Sequence, residues 1–182
     1  MNAEIRRAWL AKNPEGAYHL KHNNKLAAYF RLLPVKHDQL MAFMEGKIRG
    51  GEITAEDVEI LEPGKPVECL IIGIASEPDV GEMTRMHYVQ HLLRGIMREM
   101  EELGRRGIMI TKLYATSDTP TGITMAIHVG MKEYGPKIGK RLRFVMDVET
   151  SNSFLLDGYK KGLTEWKKEQ QKQSKLARKR SA

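Results

Sequence analysis

Cysteine is almost missing from this chain of 182 residues: Cys69 stands alone, so no disulfide forms within it. Its neighbours in the run Cys69-Leu70-Ile71-Ile72 suit a small buried hydrophobe better than a reactive thiol. Long apolar runs are missing too. Nothing approaches the roughly 20 apolar residues that cross a bilayer, and Met1-Asn2-Ala3-Glu4-Ile5-Arg6-Arg7 has no signal-peptide core, so a cytoplasmic protein with no membrane contact is expected. There is no glycine-rich phosphate loop ending in Lys-Ser or Lys-Thr, no nucleophile elbow and no dinucleotide fingerprint, which removes kinase, hydrolase and dehydrogenase readings. His87 and His91 are spaced like helical metal ligands. The acid that follows the first histidine of a metalloprotease helix is absent, and no third ligand stands by, so no metal site is expected.

What is present is a composition for one globular domain, 41% hydrophobic and 29% charged. The net charge of +7 is uneven: Lys160 to Ala182 holds nine basic residues against two acidic ones, and residues 1–159 hold 21 of each. We therefore expect a neutral folded body, 1–159, and a basic C-terminal helix or tail, 160–182. The tail, with Lys167-Lys168, Lys172, Lys175 and Arg178-Lys179-Arg180, either touches nucleic acid or an acidic partner or is a solvated end.

Ala3 to Lys12 reads as a helix stopped by Asn13-Pro14. Ala17 to His22 and Lys25 to Leu33 flank Asn23-Asn24 as a hairpin. His37 to Gly46 carries a helical stripe, and Thr54-Ala55-Glu56-Asp57 looks like a capped turn in which the Thr oxygen accepts an amide. Glu68 to Ser76 is apolar without alternation, as in a central strand buried on both faces, and Gly73 within it suggests a bulge or a ligand near the backbone. Met86 to Leu103 is the clearest amphipathic helix, with Gly104 as its stop. Ile108 to Ala115 is a strand, Thr121 to Val129 a helix opened by Pro120, and Arg141 to Val148 a strand, with an extended piece at Gly130 to Gly135 before it. Read from Glu68 onward, this is a βαβαβ order with room for a small-molecule crevice; Ser153 onward is a closing helix.

Over roughly Ala3 to Glu149 the chain resembles the GNAT superfamily of N-acetyltransferases, in particular a divergent bacterial GNAT-like subfamily. The resemblance rests on the hairpin, the strand ending Ala75-Ser76-Glu77-Pro78, the helix ending Leu103-Gly104-Arg105-Arg106-Gly107, the run Gly130-Met131-Lys132-Glu133-Tyr134-Gly135, Tyr114 to Gly122, and Asp147-Val148-Glu149-Thr150-Ser151. It implies an α/β (α+β) fold with a mixed, mostly antiparallel sheet flanked by helices, and N-terminally short, lacking the family's first strand and helix. An edge left open by that missing strand suggests a homodimer.

The resemblance also implies acetyl-CoA as co-substrate and an amine as acceptor, met in a crevice where the central strand parts from its neighbour. Main-chain groups of Ile74, Ala75 and Ser76 would hold the cofactor. So would Thr84 and Arg85 if the long helix begins there, the hydroxyl as cap and the guanidinium as phosphate partner. An amine of ordinary pKa, about 10.4, needs a base; Glu77 is the best-placed carboxylate and Glu68 a weaker one. The chain departs from the family twice. Gly81-Glu82-Met83-Thr84-Arg85-Met86-His87 has one glycine where a glycine-rich pyrophosphate turn belongs, and Ala126 stands where many relatives have the acidic tyrosine, leaving Ser117 or Asp118 as substitutes. These departures keep open a second function, a catalytically degenerate sensing or docking module associated with transcription regulation.

Overall fold

A computed structural model describes residues 3–77 and 79–180, without the side chains of 178–180. Pro78, which follows Glu77, and the side chains of Arg178-Lys179-Arg180 thus lie outside the described residues.

Helix α1 (Ala3–Lys12) leads into the hairpin of β1 (Ala17–His22) and β2 (Lys25–Pro34). Asn23 and Asn24 take φ of 49° and 61°, the left-handed pair a two-residue turn of this hand requires. Helix α2 (His37–Met44) follows, then β3 (Pro66–Ser76), α3 (Glu82–Arg105), β4 (Met109–Ser117), α4 (Pro120–His128), β5 (Lys132–Glu133), β6 (Leu142–Asp147), a 3₁₀ turn at Phe154–Leu156 and α5 (Asp157–Arg180).

The strands form one six-stranded sheet in the order β1-β2-β3-β4-β6-β5. Only β3 and β4 run parallel, joined by the α3 crossover; every other pair is antiparallel. The βαβαβ order expected from Glu68 onward is present as β3-α3-β4-α4-β6, and only its first half is parallel. The connection through α4 returns to an antiparallel β6, with the extended piece after Gly130 reduced to the two residues of β5 at the edge.

Helices α3 and α5 and the buried side of α4 cover one face. Leu92, Ile96, Met100 and Leu103 of α3 meet Phe30, Cys69, Leu113 and Phe144 of the sheet, and Ala126, Leu156 and Tyr159 complete that core. On the other face Trp9 of α1 and Leu40, Phe43 and Met44 of α2 pack on Leu33, Leu70 and Tyr114. Cys69 is fully buried, and burial pushes its thiol far above its ordinary pKa, so it is chemically quiet. Among the described residues, no helix is long and apolar enough to cross a membrane.

Three local expectations are corrected. Helix α3 starts at Glu82, four residues before Met86, and runs past Gly104 to Arg105; the left-handed stop is Gly107, φ 78°. Gly104 is instead a crossing point, because a Cβ there would lie 2.3 Å from the Tyr159 carbonyl oxygen of α5. At Thr54 the roles are reversed: its amide and hydroxyl both donate to Asp57 Oδ2, each at 2.7 Å, and close a turn rather than start a helix. Finally, β3 is buried only in its first half; Ile74 is 37% exposed and Ala75 is exposed too.

Candidate functional site

The exposure of the second half of β3 has a cause in the sheet. Strands β3 and β4 pair from Pro66↔Met109 to Ile71↔Ala115, with one register shift at Val67/Glu68, and there the ladder ends. Beyond it β3 continues to Ser76 paired with β2 alone, and β4 continues through Thr116 and Ser117 paired with β6 alone. The two strands part, leaving a wedge inside the sheet.

The direction of the free main-chain groups follows from the antiparallel alternation. The Glu77 amide donates to the Ala27 carbonyl at 2.8 Å, so Ala27 and Glu77 face one another across β2–β3. Ala75, two residues back and opposite Tyr29, also directs its N–H and C=O at β2. Ile74 and Ser76 direct theirs into the wedge. The expected trio of Ile74, Ala75 and Ser76 is brought to the wedge, but its middle member offers only its side. Gly73 has a steric use: the Tyr29 ring lies 2.9 Å from where a Cβ would be, on the face away from α3. A register shift at Arg31/Leu32 supplies the bulge next to it.

Thr84 and Arg85 lie in the first turn of α3, where the N–H groups of Glu82, Met83 and Thr84 have no carbonyl one turn back. The N-cap is Gly81, with no side-chain cap bond, so Thr84 is not the cap expected of it. The Arg85 guanidinium donates to the Val80 carbonyl at 3.4 Å. Glu82 puts a carboxylate at the turn that would receive a pyrophosphate, which opposes anion binding there. The residues thus fit the arm of a CoA-like molecule at Ile74 and Ser76 better than they fit its phosphates.

The other candidates separate. Glu77 is exposed at the exit of β3. Glu68 is at the opposite end of that strand, taken up by His37 Nδ1 at 2.7 Å, the Tyr114 hydroxyl at 3.3 Å and Lys112 at 3.7 Å. Ser117 is folded into the start of α4: its hydroxyl accepts from the Thr119 amide at 3.3 Å, while Thr119 Oγ1 caps the helix by accepting from the Gly122 amide at 3.2 Å. Asp118, next in sequence, lines a depression of about 350 Å³ together with Thr116. Ala126 is buried and offers no hydroxyl, and Tyr134 is on the α2 side, edge-on to Tyr114 at 6.0 Å. His87 and His91 are both exposed, and the described residues contain no metal-binding group of three.

Sequence reasoning missed Tyr29 as a neighbour of the wedge and missed the depression altogether. Its other walls are Phe43 and Met44 of α2, the loop 46–50 and the turn 138–141. Arg143, buried on β6, ties these walls together: Nη1 donates to the Met44 carbonyl at 2.8 Å, and Nε and Nη2 to the Pro136 carbonyl at 3.0 and 2.6 Å. Tyr29 is brought there by its pairing with Ala75 across β2 and β3, which no sequence signal gives, and no local signal marks the depression.

A parallel pair opening inside a mostly antiparallel sheet, joined by a crossover helix, gives a mixed α/β fold. No protein-family profile and no curated protein matches the chain. Solved structures do. The N-acyl amino acid synthase FeeM from uncultured soil microbes aligns over 82% of both chains with 13% identity and a TM-score of 0.51. GphF, a GNAT-like decarboxylase in complex with isobutyryl-CoA, aligns over 81% of this chain and 85% of its own with 11% identity and a TM-score of 0.49. A mutant agmatine N-acetyltransferase in its apo form aligns over 80% of this chain and 83% of its own with 15% identity and a TM-score of 0.43. The fold of this chain is GNAT-like.

Proposed function

We propose that this protein binds an acyl-CoA, with acetyl-CoA the first candidate, and transfers the acyl group to an amine in the cytoplasm. The observation that carries this reading is the parting of β3 and β4 after Ile71↔Ala115. It leaves the main-chain groups of Ile74 and Ser76 open to a molecule with amides of its own, as a pantetheine arm has. A ligand with amides of its own can replace water on these open groups and continue the hydrogen-bonding pattern of the sheet. Asp118 is the carboxylate we assign to the amine's proton, because it lines a depression that reaches the wedge through Thr116; Glu77 is the alternative at the strand exit.

Titration with acetyl-CoA tests the reading. A ligand bound only by the folded state adds about 2.7 kcal/mol at a hundred times its Kd, which for a chain of this size raises Tm by roughly 5–10 °C. Ser76→Pro, which deletes a wedge-facing N–H without touching the β2 ladder, should abolish the shift. No shift with acetyl-CoA or free CoA would overturn the proposal.

A second reading is supported by Glu82 at the start of α3, by Ala126, and by the basic second half of α5. In it the wedge has lost its chemistry and the chain is a docking module, its segment 160–182 contacting nucleic acid or an acidic partner. Lys167, Lys168, Lys172 and Lys175 are all exposed there.

A further inference from the structure

Resting on the acyltransferase reading, we propose that the depression beneath α2 is the acceptor site and that its acceptor is an amine that also carries a carboxylate, an amino acid with an apolar side chain. Location comes first. Thr116 is the residue after the last β3–β4 pair, so it belongs to the wedge and to the depression at once. The depression opens on the face opposite α3. Acyl donor and acceptor would therefore approach the gap from the two faces of the sheet.

Charge comes second. Arg49, Lys140, Arg141 and Arg143 line the walls against one carboxylate, Asp118. Arg143 is spent on main-chain carbonyls, and Glu45, outside the walls, is paired with Lys47 at 2.6 Å. Among the described residues the side chains of Arg49, Lys140 and Arg141 have no carboxylate within ion-pair distance. Three unmatched cations around one anion suit a ligand with a negative end at the rim and a positive end at Asp118. Phe43, Met44, Ile48 and Ile138 supply apolar wall between them. The volume, about 350 Å³, holds one amino acid rather than a peptide chain.

The step balances with acyl-CoA as the other substrate. The ammonium gives one proton to Asp118 or through it to water, and the nitrogen attacks the thioester carbon. As the C–N bond forms and the C–S bond breaks, the second proton passes to the CoA sulfur. The products are an amide, a thiol and one released proton.

Binding is measured first without any CoA compound, using phenylalanine, leucine and methionine, and compared with phenylalaninamide and phenethylamine, which keep the amine and lack the carboxylate. At least one amino acid should bind, with its carboxylate-free counterparts weaker by about tenfold or more, the size of one charge-assisted pair. Arg141→Gln and Arg49→Gln, exposed positions, should weaken the amino acid similarly and leave the acetyl-CoA shift unchanged. Equal binding of phenylalanine and phenylalaninamide, unaltered affinity in both variants, or no binding of any of the three amino acids overturns the inference even where acetyl-CoA binds. Amino acid binding with no CoA shift overturns the acyltransferase reading and leaves the carboxylate site standing.

Discussion

Tyr159 offers a sharp test of how the sheet is held to α5. The residue is 0% exposed between α3 and β4. Its hydroxyl accepts from the Ile110 amide at 2.7 Å and donates to the Ile108 carbonyl at 2.8 Å. Both partners lie at the start of β4, beside the register shift at Val67/Glu68. Burial pushes the phenol up to about 12, so it keeps its proton throughout the working range. Tyr159→Phe retains the ring and its packing and removes one oxygen, leaving a buried N–H and a buried C=O with lost bonds. At about 1–3 kcal/mol for a buried group left unsatisfied, and with partial relaxation, the expected loss is about 2–4 kcal/mol. In urea unfolding followed by circular dichroism, the midpoint should fall with the slope unchanged, since the surface exposed is the same. A loss below about 0.5 kcal/mol would refute the reasoning, because it would mean that β4 satisfies those groups without α5.

Two further outcomes follow from the same description. Deleting Lys167 to Ala182 should leave folding intact, since residues 167–177 are exposed while Trp166, whose ring covers Gly64 and Gly107, is kept; retention of DNA by the shortened chain at low salt would remove the tail from the docking reading. His19 has its pKa lowered, first by burial and then by Arg31 and Lys21 nearby. The unfolded chain therefore takes up that proton first. This contribution to stability is present above about pH 6.5 and is lost as pH falls from there through the lower folded value. Urea midpoints across that window should fall less in His19→Gln than in the parent, and equal slopes would rule the effect out.

Local chemistry made much of the fold legible. Asn23-Asn24 announced the hairpin, Asn13-Pro14 the end of α1, and Pro120 the start of α4, because each acts on backbone angles within a few residues. Gly104 misled for the opposite reason: as a sequence signal it is a helix stop, whereas its use is to admit α5, a contact 55 residues away in the chain. The start of α3 was misread because its first turn, Glu82 to Arg85, exposes Met83 and so adds no buried residue to the stripe. At the candidate site, the opening at Ile74 to Ser76 was anticipated through the family resemblance. The depression was not, because Phe43 of α2, Asp118 after β4 and Arg141 before β6 are brought together only by tertiary packing.

The three bonds made by Arg143 all end on main-chain carbonyls, those of Met44 and Pro136. A clasp that grips peptide groups is indifferent to which side chains decorate the two segments it fastens. Exchange of rim residues such as Arg49 or Lys140 would thus change the charge of the cup while leaving its width alone.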